Sequence, residues 1–340
     1  MPVAFSGDQS ASWSILLEAR PREMPDPAAV AARMSRASAE FPNLGPAATV
    51  LRPSDVELTR AEFADEHYHE GDPLVRVALA GDTLLIAAHH GAVDGLGLLA
   101  LLGIALGEPV HSSATGVASR SPDRPYLLSA LGRVHEAVWT PPTRIQPSSR
   151  GDETGDHLVS RTVPAVKLDS ARITAAALEA TRKWNSAKGV RHHRVVAAIG
   201  ASWRSGADPR PELASALLRL RLPDGSGEED VRALLAASVP EAGFPSERNP
   251  LARWGMRLLA DRLGSTFLVS NLGVVKAPVD ALCFYPAASG RSGVAFGVMT
   301  AGEATTLTVR VRRRDFDAAA AAGLLDLVCE AALSGLEAQR

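Results

Sequence analysis

The segment LLIAAHHGAVDGLG, from Leu84 to Gly97, is the most informative part of this sequence. A strongly apolar run leads directly into two adjacent histidines, His89 and His90. Asp94 follows four positions after His90, with Gly95 behind it. Polar, titratable side chains therefore directly follow a segment whose composition is typical of a buried strand.

The flanking patterns place this motif between two regular elements. Leu74 to Leu79 and Thr83 to Ala88 predict a hairpin around a Gly81-Asp82 turn. Gly95 to Leu106 predicts an apolar helix that ends near Gly107. The motif is thus expected at the end of a buried strand, just before a helix.

Three interpretations of the motif are open from the residues alone. The first is a structural turn whose histidines bond to backbone carbonyls. The second is a metal site that adds His67 and His69, although adjacent histidines on a strand point to opposite faces and do not chelate one ion easily. The third is catalysis by one histidine, because an imidazole with a pKa near 6.5 is a usable general base close to neutrality.

The rest of the chain alternates strands and helices, which predicts an α/β protein. A Pro/Ser-rich segment from Glu108 to Asp156 predicts a crossover between two lobes, residues 1–150 and residues 151–340. Strands are predicted at 12–21, 157–166, 214–225, 265–275 and in a hairpin over 291–316; helices are predicted at 26–41, around 126–138, and at 170–187, 191–205, 228–239, 250–263 and 317–340.

Composition narrows the class of protein. Hydrophobic residues make up 46% and charged residues 22% of the 340 residues, which is typical of a globular chain. A net charge of −2 gives no electrostatic footprint for nucleic acid. The longest apolar segment is too short to span a bilayer, no signal-peptide pattern opens the sequence, and the two cysteines form no CxxC pair. We therefore expect a cytoplasmic protein without nucleic-acid binding, membrane span or metal.

The pattern HHxxxDG formed by His89, His90, Asp94 and Gly95 resembles the signature of the chloramphenicol acetyltransferase-like superfamily. That superfamily includes nonribosomal peptide condensation domains, plant-type BAHD acyltransferases and bacterial polyketide-associated acyltransferases. Far downstream, SNLG at Ser270 to Gly273 is similar to a stretch in the second lobe of these enzymes. The sequence lacks the DFGWG motif of the BAHD branch, so the resemblance is to the condensation-domain and polyketide-associated branch.

This resemblance implies two lobes, each a mixed sheet with helices, around a central tunnel. It implies that His90 deprotonates a hydroxyl or amine acceptor, which attacks the carbonyl of a thioester carried by coenzyme A or by a carrier protein. Ser270 or Asn271 is expected to donate a hydrogen bond to the oxyanion. No bound cofactor is expected, and the predicted partners are a small-molecule acceptor and a carrier protein.

The remaining site residues are assigned structural roles. His89 is expected to point away from His90, and Gly95 to give the backbone room to turn. Asp94 is expected to pair with Arg219 or Arg221, which share one face of a predicted strand.

Two classes of function stay open. One is a stand-alone acyltransferase of bacterial secondary metabolism, since no adenylation or carrier-protein motif is visible. The other is a catalytically inactive, condensation-like module that binds or docks. A tunnel open at His90 favours the enzyme, and a blocked tunnel favours the binding module.

Overall fold

A computed structural model describes residues 12–117, 120, 139–190, 193–240, 264–288 and 292–334. Within these ranges the chain forms twelve strands and six α-helices. The strands are β1 (Ser14–Pro21), β2 (Val50–Leu51), β3 (Val75–Ala80), β4 (Thr83–His89), β5 (His111–Ser112), β6 (Asp156–Pro164), β7 (Val195–Ser202), β8 (Ser215–Leu222), β9 (Phe267–Lys276), β10 (Val279–Tyr285), β11 (Val294–Ala301) and β12 (Ala304–Arg312). The helices are α1 (Pro27–Glu40), α2 (Val56–Asp65), α3 (Gly95–Leu106), α4 (Ser170–Ala187), α5 (Glu228–Ala237) and α6 (Ala318–Leu333).

The strands form two mixed sheets. The first sheet has the order β10-β1-β4-β3-β2 and is antiparallel except for the β2–β3 pair. The second sheet has the order β6-β12-β11-β9-β7-β8, with β5 added to β9. In this sheet β9 runs parallel to both β7 and β11. The two mixed sheets with their helices confirm the predicted α/β class and two-lobe architecture.

Each sheet has its own apolar core. Helices α1 and α3 pack together over the first sheet, whereas α4 and α6 pack together over the second. Helix α3 is apolar around most of its circumference, as expected for a helix enclosed between the two lobes. It begins after Asp94 and ends at Gly107, whose φ of 77° is left-handed, which is the usual glycine C-cap.

The two halves of the chain exchange strands. Strand β10, from the second half, pairs with β1 in the first sheet, and β5, from the first half, pairs with β9 in the second. A buried arginine joins the lobes beside β1. Arg310 of β12 donates to the Asp156 carboxylate at 2.6 Å and to the backbone oxygens of Ser14 and Ala64 at 2.5 and 2.7 Å. The division at residue 150 stays a prediction, and strands cross it in both directions.

One predicted helix is wrong. Residues 191–205 were expected to be helical, but Val195–Ser202 is strand β7, between β8 and β9. Its first five residues are all buried, so both faces are apolar and the run lacks the alternation that marks a half-exposed strand. The predicted helices around 126–138 and at 250–263 lie outside the described residues.

Candidate active site

The histidine motif lies at the junction that the sequence predicts. All seven residues of β4 are buried, and the strand ends at His89. The loop continues through His90 to Asp94, where α3 begins. The side chain of His89 is 6% exposed, while His90 is only half-buried. The two imidazoles therefore have different environments, as the alternation of a strand requires.

His89 is held inside the first lobe. Its Nδ1 accepts a hydrogen bond from the Gly91 backbone N–H at 3.1 Å, so this nitrogen carries no proton. Its ring makes an edge-on contact with Tyr68, with 5.3 Å between the ring centroids. Burial, then the nearby His90 and Arg76, lower the pKa of His89 from 6.5 to about 4. These contacts fit the structural role predicted for His89.

The low pKa of His89 predicts acid destabilisation. Between pH 6.5 and about 4 the unfolded chain binds a proton at His89 and the folded chain does not, so the free energy of unfolding falls as the pH falls. The expected loss is about 3 kcal/mol by the lower end of this window. Denaturant titrations at a series of pH values measure it. His89→Asn is the matched variant, because its amide oxygen still accepts from Gly91 but does not titrate; an unchanged pH slope in this variant would contradict the assignment.

His90 has the opposite tautomer. Its Nδ1 lies 3.1 Å from the backbone oxygen of Val93. A carbonyl oxygen only accepts, so Nδ1 carries the proton and Nε2 has the lone pair in the neutral ring. The backbone N–H of His90 donates to the Trp13 oxygen at 2.7 Å, which fixes the loop to the start of β1. The ring is thereby oriented with a basic nitrogen at its far side.

Asp94 connects the motif to the second lobe. It caps α3 through a bond from the Gly97 N–H to Oδ1 at 2.7 Å. Its Oδ2 accepts from the Ser202 hydroxyl and from the Ala214 N–H, both at 3.1 Å. Asp94 is 3% exposed, so the lobes meet at a fully bonded, buried carboxylate.

The predicted ion-pair partner of Asp94 is wrong. Arg204, not Arg219 or Arg221, lies near the carboxylate, with 3.8 Å between Nη2 and Oδ1. Ser202, at the end of β7, is opposite Ser215 of β8, and Arg219 lies four residues further along β8. At 3.3 Å per residue this is roughly 13 Å from the strand end that meets Asp94. Arg219 instead donates to the Gly264 oxygen at 3.4 Å.

The motif glycines allow close approach of the second lobe. A Cβ at Gly95 would lie 2.7 Å from Leu272 Cδ2, and one at Gly97 would lie 2.8 Å from the Glu212 backbone oxygen. Neither glycine has a left-handed backbone, so the sharp turn expected at Gly95 is not its reason. Side chains at these positions would separate the lobes beside His90.

Ser270 and Asn271, the two candidates for the oxyanion donor, have different surroundings. Asn271 donates through Nδ2 to the Leu168 oxygen and accepts at Oδ1 from the Gly273 N–H, both at 2.8 Å. Its amide thus braces β9 against the start of α4. The oxyanion role of Asn271 stays a prediction, and the alternation of a strand points its side chain away from the face that carries Ser270.

Ser270 lies on the face of β9 that meets the motif. It is in register with Gly200 of β7, and Ser202, two residues further along the same face, bonds to Asp94. On β9, Leu272 contacts Gly95. Among the residues that the structure describes, the Ser270 hydroxyl makes no hydrogen bond. It is therefore a half-buried donor near the histidine loop.

Two other expectations concern metals and membranes. Within the described ranges, no three His, Cys, Asp or Glu side chains come close enough to hold a metal ion. His67 and His69 use backbone atoms, to hold Arg76 and to bond Asp72 respectively. Of the described helices, none has both the length and the apolar character needed to cross a bilayer.

Sequence reasoning missed Ser202, Arg204 and Tyr68. Ser202 and Arg204 lie in the segment 191–205, for which the sequence predicts a helix. In the structure β7 ends there, and both residues lie next to Asp94. Tyr68 lies between the two histidines that were weighed as metal ligands. A tyrosine in such a polar segment was the signal available from the sequence.

The two lobes have the fold of nonribosomal peptide synthetase condensation and epimerization domains. The first condensation domain of the calcium-dependent antibiotic synthetase superposes with a TM-score of 0.61 at 14% identity, covering 94% of this chain and 91% of that one. The epimerization domain from the third module of tyrocidine synthetase B gives 0.57 at 13% identity, covering 97% and 93%. A starter condensation domain of rhizomide synthetase, in complex with C8-CoA and Leu-SNAC, gives 0.58 at 14% identity, covering 96% and 90%.

The likeness is one of structure. No family model matches the sequence, and no curated protein matches it. At identities of 13–15% the solved structures establish the fold only. The activity has to be argued from the residues of the site.

Proposed function

We propose that this protein is an acyltransferase that moves an acyl group from a thioester to a hydroxyl or amine acceptor. The observation that carries the proposal is the tautomer of the His90 ring. The Val93 oxygen holds the proton on Nδ1 and leaves the Nε2 lone pair available. A half-buried imidazole held in this tautomer is suited to general-base catalysis.

The reaction follows from these groups. Nε2 of His90 takes a proton from the hydroxyl or amine of the acceptor. At the same time the acceptor's oxygen or nitrogen bonds to the thioester carbonyl carbon. The tetrahedral intermediate then collapses, the carbon–sulfur bond breaks, and the imidazolium returns the proton to the leaving thiolate. His90 is unchanged at the end, and the products are an ester or amide and a free thiol.

We assign the passage for the donor to the contact between the lobes. Its walls would be Val93 to Leu99 from the first lobe and Ser270 to Val274 from the second. The contact of Gly95 with Leu272 and the bond of Asp94 to Ser202 support this, because they bring the two walls together beside His90. A long thioester arm needs such a passage to bring its carbonyl carbon to a buried strand end.

Ser270 is our candidate for the oxyanion donor. Ser270→Ala is expected to lower kcat by about 10²–10³-fold, the usual effect of removing one such donor. Asn271→Ala is the matched neighbour. It should lower the melting temperature, because it removes the bonds to Leu168 and Gly273, and affect kcat less. Equal kcat losses in two folded variants would contradict the assignment of Ser270.

The function itself is tested by an intact-mass and product screen. Acyl-coenzyme A and acyl-carrier-protein donors are offered with panels of hydroxyl and amine acceptors. Enzymatic transfer predicts an acylated acceptor and stoichiometric free thiol with wild type and not with His90→Ala. If the protein binds the donor but releases free thiol no faster than buffer alone does, the proposal is overturned in favour of a docking module.

A further inference from the structure

Behind His89, a tyrosine and an arginine form a stack that the proposed reaction does not use directly. The rings of Tyr68 and His89 meet edge-on, at an angle of 77°. The Arg76 guanidinium lies over the Tyr68 ring, with its Cζ 3.9 Å from the centroid. Tyr68 is 6% exposed, so the stack extends into the first lobe.

Three neighbouring elements fix this stack. Arg76, on β3, donates to the backbone oxygens of Glu66 and His67 at 2.9 and 3.0 Å. The Tyr68 hydroxyl lies 3.5 Å from the Ser14 hydroxyl, and Ser14 of β1 is directly opposite His89 of β4. The position of the His89 ring is therefore determined from the side remote from His90.

We propose that Tyr68 and Arg76 are positioning residues for the His90 loop, because they hold the His89 ring in the orientation and tautomer that accept from Gly91. The Gly91 bond links the His89 side chain directly to the loop that carries His90. The inference rests on the proposed function only in taking His90 as the base.

The charges around His89 support this role. A proton on Nδ1 would face the Gly91 N–H and break the bond. The groups that oppose such a proton are the Arg76 cation and the neighbouring His90. The Glu66 carboxylate lies 3.5 Å from Arg76 and partly offsets its charge, whereas Ser14 and Tyr68 contribute no charge near neutral pH. Burial, then His90 and Arg76, lower the pKa of His89 to about 4.

The test uses two pairs of variants in the full chain. Arg76→Gln removes the cation and Arg76→Lys keeps it. Tyr68→Leu removes the ring and Tyr68→Phe keeps it. Imidazole ¹⁵N chemical shifts report the His89 tautomer and its titration midpoint, and kcat is followed from about pH 5 to 8.

For Arg76→Gln we expect the His89 midpoint to rise by about half a pH unit or more, with a larger loss of kcat near pH 5 than near pH 8. Arg76→Lys should restore both. For Tyr68→Leu we expect a mixed His89 tautomer and a kcat loss of about tenfold, which Tyr68→Phe should rescue.

Unchanged His89 tautomer and midpoint in both Arg76→Gln and Tyr68→Leu would overturn the inference. If Tyr68→Leu does not fold, the arginine pair decides alone. The ¹⁵N measurement needs no turnover, so an inactive wild type would refute the proposed function without deciding the role of the stack.

Discussion

Replacement of His90 by alanine is expected to lower kcat by about 10²–10⁴-fold and to leave the fold intact. The loss should be large because the variant has no group to take the acceptor proton. The fold should persist because, within the described part of the chain, the half-buried His90 side chain makes a single hydrogen bond, to the Val93 oxygen. Product formation with the donor identified in the screen gives kcat, and thermal melting reports the fold.

Two histidine variants separate chemistry from structure. His193→Ala removes a side chain that is 64% exposed, and both kcat and melting temperature should stay at wild-type values. His89→Asn should reduce stability at neutral pH more than His90→Ala does, because it disturbs a buried ring contact. Near-normal turnover by folded His90→Ala would show that His90 is not the base.

Local chemistry explains which parts of the fold were predictable. The bounds of α3, Gly95–Leu106, follow from the sequence because Asp94 is an N-cap and Gly107 is a left-handed C-cap. The turn after β11 is equally local, with Gly302 at a φ of 56°. Strand β7 was missed because an apolar run as short as its first five residues fits a buried strand and a buried helix segment equally well.

The candidate site follows the same division. His89 and His90 are recognisable from their pattern at a strand end. The bonds of Asp94 to Ser202 and Ala214 are not, because these residues lie 108 and 120 positions away and meet only when the lobes close. The different faces of Ser270 and Asn271 were accessible from the sequence, since a predicted strand already implies alternation.

Asp94→Asn is expected to lower the free energy of unfolding by about 1–3 kcal/mol, because a buried hydrogen-bond donor is left without its acceptor. The carboxylate accepts from Gly97, Ser202 and Ala214, and Arg204 lies 3.8 Å away. An asparagine in the same rotamer still accepts from Gly97. Its amide NH₂, however, faces the donors of Ser202 and Ala214, so at least one buried donor loses its acceptor.

The same change should lower kcat, because Asp94 ends the loop whose Val93 oxygen orients His90.

Asp326→Asn is the matched control. Asp326 also pairs with an arginine, Arg161, at 2.8 Å, but its side chain is 56% exposed. An exposed pair of this kind contributes about 1 kcal/mol or less, so the control should unfold close to wild type. Denaturant titration of the three proteins at neutral pH separates the cases. If Asp94→Asn and the control have the same free energy of unfolding, the buried carboxylate does not join the lobes. The close approach of the second lobe must then come from the glycine contacts alone.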